Sequence, residues 1–215
     1  MNKGLMLVVD GGNGAGKGTC LQDIEAYLKE QGLDAVMTRE PGGTPISEQI
    51  RNILLDKSIA DMCDVTELLL FAAARAQHVR QKILPALAAG KVVVSDRFDS
   101  ATVSFQHYAR GLDLDLIKKL NDIAVDGLKP DFTIILDLDP TVGLQRVKAR
   151  GSDFDRLEQE NLQFLERARQ GYLEQARQDP EHFAVVDASQ SFDEVRRQVL
   201  LLVENLIVRN RQALS

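Results

Sequence analysis

Asp10-Gly11-Gly12-Asn13-Gly14-Ala15-Gly16-Lys17-Gly18-Thr19 is the stretch that decides the fold of this chain. A short apolar run from Leu5 to Val9 leads into it, and an amphipathic pattern with Leu21, Ile24 and Leu28 on one side follows. Strand, glycine loop and helix in that order suit a polyphosphate. Backbone N–H groups turn inward with no Cβ in the way, the helix N-terminus supplies partial positive charge, and one lysine follows the moving phosphoryl group. Gly11, Gly14, Gly16 and Lys17 meet those needs, with Gly12, Asn13 and Ala15 completing the loop. The strict pattern sets Ser or Thr directly after the lysine, where its hydroxyl reaches magnesium. Here Gly18 intervenes and Thr19 is the nearest hydroxyl, so metal contact at this point is indirect, through water, or made from a shifted position.

Outward from the loop, four further runs rich in β-branched residues read as strands: Ala35 to Thr38, Val92 to Ser95, Phe132 to Leu136 and Phe183 to Val186. Helical patterns lie between them. Gly32 and Gly90 stand as stops, Asp64 with Glu67 as a capping box, and Asp139-Pro140 as a helix start. Buried strands alternating with helices predict an α/β chain: five parallel strands with helices on both faces, since parallel neighbours need crossover connections. Ligands then bind beyond the carboxyl ends of the strands, which puts Asp10, Arg39, Asp96 and Asp137 on one rim. The Arg- and Gln-rich stretch from Glu158 to Gln178 reads as a long exposed helix.

The 215 residues, 44% of them hydrophobic, fit one domain over 1–215 with no internal repeat or linker. A net charge of -6 argues against a nucleic-acid polymer or an anionic membrane surface as partner. No apolar segment approaches the roughly 20 residues that span a bilayer. Cys20 and Cys63 lack metal-ligand spacing, and with no secretory start they fit reduced cytoplasmic thiols.

The strand Val92-Val93-Val94 ends in Ser95-Asp96-Arg97. A carboxylate at the tip of a buried strand beside the phosphate loop is placed to hold Mg2+ or its waters, and Arg97 offers a planar fork for a phosphate.

With these residues in hand, the sequence resembles the thymidylate kinase family over nearly its whole length. The phosphate loop carries the likeness together with Thr38-Arg39-Glu40-Pro41-Gly42-Gly43-Thr44, Ile50-Arg51 with Leu54-Leu55-Asp56, Leu70-Phe71-Ala72-Ala73-Ala74-Arg75, Asp96-Arg97-Phe98 and Asp155-Arg156-Leu157-Glu158. The resemblance implies the P-loop NTPase three-layer fold with a small lid, and transfer of the ATP γ-phosphate to dTMP, giving dTDP for dTTP synthesis. It also implies Mg2+ dependence, a cytoplasmic location and a homodimer.

The same resemblance implies a nucleotide pocket. Phe71 and Arg75 lie four apart, on one helix face, the ring stacking on thymine and the guanidinium donating to a base carbonyl. Glu40 and Pro41 match the turn beside the thymine methyl, one open to a cis bond. Arg51 and Arg97 match the holders of the dTMP phosphate, Thr102 and Gln106 the polar positions near the base, and Asp10 the acid near the sugar 3′ hydroxyl and the metal. Phe105 stands where the family more usually has Tyr and keeps the bulk that crowds the sugar 2′ position.

The segment from Arg146 through Lys148, Arg150 and Gly151 to Arg156, about 146–157, resembles the lid that closes over ATP. The bacterial form of the family keeps its catalytic arginine in the lid, and Asn13 rather than Arg sits in this phosphate loop, so the resemblance implies that role for the lid, with Arg156 first and Arg150 second. Asp96 and Thr19 are the metal candidates. Two readings compete: a kinase for another monophosphate such as dUMP or AMP, encouraged by Gly18, and a non-catalytic P-loop module that senses nucleotide.

Overall fold

The computed structural model describes residues 4–59, 61–149, 151 and 155–213. Its sheet has strands β1 (Leu5–Gly11), β2 (Ala35–Arg39), β3 (Val92–Asp96), β4 (Phe132–Asp137) and β5 (Phe183–Asp187). All pairs are parallel and the order is β2-β3-β1-β4-β5. β1 is central and buried at all seven positions. The phosphate loop therefore leaves the middle of the sheet, where the strand order turns back, the usual ligand position in such folds.

Side chains alternating along the strands feed two layers. Leu7, Val9, Val94, Ile134 and Leu136 pack with Ile24 and Leu28 of helix α1 (Lys17–Glu30) and with Val195, Val199 and Val203 of the last helix, Phe192–Ala213. Met6, Val8 and Val93 face the other way, onto Val79, Ile83, Phe98 and Val125. Each such fully buried aliphatic side chain contributes roughly 1.5–3 kcal/mol. Three layers result, as the resemblance implies.

Two helices follow β2. Helix α2 (Pro45–Leu55) is capped by Thr44, whose side chain accepts from Ser47 N at 3.3 Å, with Pro45 at its first turn. Helix α3 (Asp64–His78) packs beside it and runs through a π turn, Val79–Ile83, into the short α4 (Leu84–Ala88). Here the structure departs from the expected capping box. The N-cap is Cys63, and Glu67 turns inward, 1% exposed, instead of closing over the helix end.

After β3 come α5 (Asp99–Thr102) and a second π turn, Val103–Ala109, then α6 (Leu114–Val125); β4 leads to α7 (Pro140–Ala149). Helix α8 (Leu162–Gln178) starts later than the sequence suggested and is not a merely exposed helix. Its N-cap Asn161 accepts from Phe164 N at 2.9 Å, and Phe164, Leu165, Ala168 and Tyr172 are buried against Phe105 and Ile135. Its polar majority masked a complete apolar stripe. The chain closes with β5 and α9 (Phe192–Ala213).

Candidate active site

The phosphate loop folds as its glycines require. Gly11, Gly14 and Gly16 have φ of +130°, +75° and +95°, a region closed to most residues with a Cβ. A Cβ on Gly14 would lie 2.3 Å from Gly143 O, and one on Gly143 would lie 2.3 Å from Asn13 O, so loop and α7 touch backbone to backbone. Lys17 Nζ donates to Gly11 O at 3.1 Å and Gly12 O at 3.0 Å. Burial, and then the adjacent Arg97 guanidinium, push its pKa down to about 8 against the pull of Asp96 and Asp10.

A cavity of about 240 Å³ lies beside the loop, with Asn13, Lys17, Asp96 and Arg97 at one end and Phe71, Arg75, Thr102, Phe105 and Gln106 among its other walls. Glu40, Pro41 and Arg51 also line it, as do Arg39, Leu55, Asp155, Leu157 and Glu158. The Glu40–Pro41 peptide is cis, and Pro41 O accepts from Arg51 Nη1 at 2.8 Å. Burial, followed by the neighbouring Arg39 charge, lowers the Arg51 pKa.

Arg75, 2% exposed, donates through Nε to Glu40 Oε2 at 2.7 Å, through Nη1 to Thr102 Oγ1 at 2.9 Å and Asn121 Oδ1 at 2.7 Å, and through Nη2 to Phe98 O at 2.9 Å. A guanidinium has five N–H donors, so these four bonds leave one Nη2 hydrogen uncommitted. Glu40 is thus a clamp: its other oxygen meets His78 Nδ1 at 3.0 Å, and His78 Nε2 meets Thr38 Oγ1 at 2.7 Å.

Arg97 has φ +68°, and its guanidinium is held from below. Nη1 donates to Asp10 Oδ1 and Gly11 O, both at 3.0 Å, and to Tyr172 Oη at 2.8 Å; Nη2 donates to Asn13 Oδ1 at 2.8 Å. Its centre lies 5.3 Å from the Phe105 ring. Tyr172 donates to Asp10 Oδ1 at 2.6 Å, and burial, with Asp10 beside it, keeps that phenol well above its usual pKa and hence protonated. Tyr172 was not foreseen from the sequence; its only signal is an aromatic ring in the apolar stripe of α8.

Three residues expected at the site, Asp10, Thr19 and Arg156, do not line this cavity. Asp10 does not reach the cavity. It is fully buried, and Gly11 N, Arg97, Tyr172 and Ser100 Oγ at 2.7 Å bond to its carboxylate, which holds the Arg97 guanidinium in place. Thr19 is exposed and lines a different cavity, of about 230 Å³, with Gly14, Ala15, Gly16, Asp23, Arg146 and Phe192. It lies outside the cavity lined by Asp96. Arg156 is also turned elsewhere: Nη2 donates to Glu67 Oε2, and Nε donates to Leu54 O at 2.8 Å. Arg156 sits in a reciprocal turn in which Asp155 N donates to Glu158 Oε2 at 3.0 Å and Glu158 N to Asp155 Oδ1 at 2.8 Å. The second lid candidate, Arg150, lies outside the described residues.

Asp96 keeps a buried Oδ1 with no hydrogen-bond partner, and among the described residues no three His, Cys, Asp or Glu side chains cluster as a metal nest. A single open carboxylate beside a phosphate loop fits Mg2+, which takes one or two carboxylates and fills its remaining positions with phosphate and water.

A phosphate loop at the central strand, a lysine facing an acceptor cavity, and arginines converging on that cavity define a P-loop kinase for a small phosphorylated acceptor. The sequence model of the family described as Thymidylate kinase matches residues 9–199. The thymidylate kinase of Pseudomonas putida (strain GB-1) is 46% identical, over 97% of this chain and 99% of its own. That of Halalkalibacterium halodurans is 44% identical over 95% and 98%. The crystal structure of thymidylate kinase from Ehrlichia chaffeensis superposes with a TM-score of 0.75 at 30% identity, covering 94% of this chain and 98% of that one. The chain belongs to the thymidylate kinase family.

Proposed function

We propose that this chain transfers the γ-phosphate of ATP to dTMP, giving dTDP, in the cavity beside Lys17. Family membership makes it a dTMP kinase. The observation that carries the reading is that one cavity joins Lys17 and Asp96 at the phosphate loop to Phe71, Arg75, Thr102 and Gln106 at the far wall.

In this assignment the ATP phosphates lie on the loop from Gly11 to Thr19, and the donor nucleoside lies in the second cavity, by Arg146 and Phe192. Phe71 stacks on the thymine, the free Nη2 hydrogen of Arg75 donates to a base carbonyl, and Pro41 packs by the methyl group. Phe105, lying under Arg97, fills the space next to the sugar 2′ position. Arg51 and Arg97 bind the acceptor phosphate and turn one oxygen toward the donor. Lys17 follows the charge as it moves, so catalysis is positioning and electrostatics with no covalent intermediate. Asp96 would hold Mg2+, which when bound neutralises charge on the transferring phosphates. Arg156 is anchored on the acceptor side, so the lid's charge contribution falls to Arg150. We place the chain in the cytoplasm; among the described residues no helix is long and apolar enough to cross a membrane.

A homodimer is the assembly we favour. Ile46 and Ile53 on α2, Val65 and Leu69 on α3, and Ile123 on α6 are each at least 45% exposed; the first two pairs recur at helical spacing, and α3 packs against both α2 and α6. Sedimentation of the native chain beside Leu69→Glu checks this: a monomeric native chain overturns it.

Turnover with a panel of monophosphates tests the function. dTMP-dependent ADP formation, lost in Lys17→Ala, is expected. A preference for AMP or dUMP, or ATP binding without acceptor-dependent turnover, would sink the assignment.

A further inference from the structure

We infer that Glu67 is a positioning residue for the acceptor site, tying the segment 155–158 to the helix that reads the base. The observation is a buried carboxylate with every lone-pair direction used. Oε1 accepts from Gln106 Nε2 at 2.9 Å and Arg110 Nε at 3.2 Å; Oε2 accepts from Arg110 Nη2 at 3.0 Å and from Arg156 Nη2. A carboxylate offers about four such sites, so none is left for a ligand. Burial pushes its pKa up, but the bonds from Arg110, Arg156 and Gln106 outweigh this and hold it below the ordinary glutamate range. It stays an anion.

The partners give the group its purpose. Arg156 belongs to the expected lid, and its backbone N also donates to Leu55 O at 3.3 Å, so Glu67 and the end of α2 pin this segment together. Pinned so, Leu157 and Glu158 form a wall of the acceptor cavity. Gln106 lines the same cavity from the π turn. Glu67, Phe71 and Arg75 are spaced four apart on α3, one helical stripe. One face of α3 therefore carries the stacking ring, the base-reading guanidinium and the anchor of the wall that closes over them. An ammonium or neutral side chain at position 156 cannot replace the two-point hold of a guanidinium on Glu67 and Leu54 O.

The inference rests on the dTMP kinase reading, and its test is read relative to the native enzyme, so absence of dTMP turnover in the native chain would instead condemn that reading. The experiment is steady-state kinetics on Glu67→Gln, Arg156→Met and the double variant, with ATP and dTMP varied separately. Each single variant is expected to raise KM for dTMP roughly tenfold, with KM for ATP and kcat within about twofold, and the double variant should be no worse than the poorer single one. Glu67→Asp should recover part of the loss. If Glu67→Gln fails to fold, Arg156→Met, changed at a partly exposed side chain, still reports. A collapse of kcat in Arg156→Met at unchanged KM would overturn the inference and return Arg156 to the transferred phosphate. Equal rises in both KM values, or losses that multiply in the double variant, would overturn it as well.

Discussion

The Tyr172 hydroxyl donates to Asp10 Oδ1 at 2.6 Å across 162 residues of chain, while accepting from Arg97 Nη1 at 2.8 Å. It ties α8 to the central strand and to the arginine of the acceptor site. Tyr172→Phe removes both bonds and leaves two charged groups short of a partner, which should lower stability by about 2 kcal/mol. Its KM for dTMP should rise about fivefold with ATP affinity unchanged. Thermal melting and calorimetric titration with each nucleotide check the two parts, and an equal loss for both nucleotides would contradict the assignment.

Arg97 offers a planar fork that Asp10 and Asn13 hold at two points, 3.0 and 2.8 Å away. Arg97→Lys keeps the charge but cannot span both, so dTMP use should suffer nearly as much as in Arg97→Ala, by about 100-fold in kcat/KM. ATP binding should change little in either variant. A lysine variant with near-native kcat/KM would show that charge alone suffices.

The low pKa of Lys17, about 8, gives a pH signature. Below it the side chain is an ammonium and attracts polyphosphate; above it the free enzyme presents a neutral amine. kcat/KM for ATP, which reports the free enzyme, should therefore fall as pH rises through about 8. The fall in kcat should come at higher pH, because bound phosphate stabilises the ammonium. A kcat/KM profile flat to pH 10 would contradict this.

Magnesium use should depend on Asp96 and respond to position 18. Asp96→Asn keeps the shape and removes the charge, and should raise the Mg2+ needed for half-maximal rate about tenfold. Gly18 has open space around its Cβ position and no left-handed φ, so a threonine fits there. Gly18→Thr should fold normally and lower the Mg2+ requirement. An unchanged or higher requirement would mean that the hydroxyl has no route to the ion.

All five strands were legible because buried parallel strands write themselves as short β-branched runs; observed ends differ from expected ones by at most two residues, as with Leu5–Gly11 against Leu5 to Val9. That Glu40, Pro41, Arg51, Phe71, Arg75, Arg97, Thr102, Phe105 and Gln106 meet at one cavity was legible too, since they sit in compact motifs. What the sequence hid was direction. Arg156 stands between the cavity-lining residues Asp155 and Leu157 yet bonds to Glu67, and Asp10, at the end of the central strand, is buried against Tyr172 and Ser100. Glu67 fitted a helix cap by spacing, yet the arginines that claim it come from positions 110 and 156, beyond any local pattern.

The mutual contact of Gly14 and Gly143 has a mechanical consequence. Because each leaves no room for a Cβ on the other side, the first turn of α7 is seated on the phosphate loop and cannot rock against it without breaking backbone packing. Arg146, about one turn further along α7, donates to Ala188 O at 3.2 Å, so the helix is also held beyond the loop. A methyl group at either glycine would therefore disturb the phosphate loop and the start of α7 together.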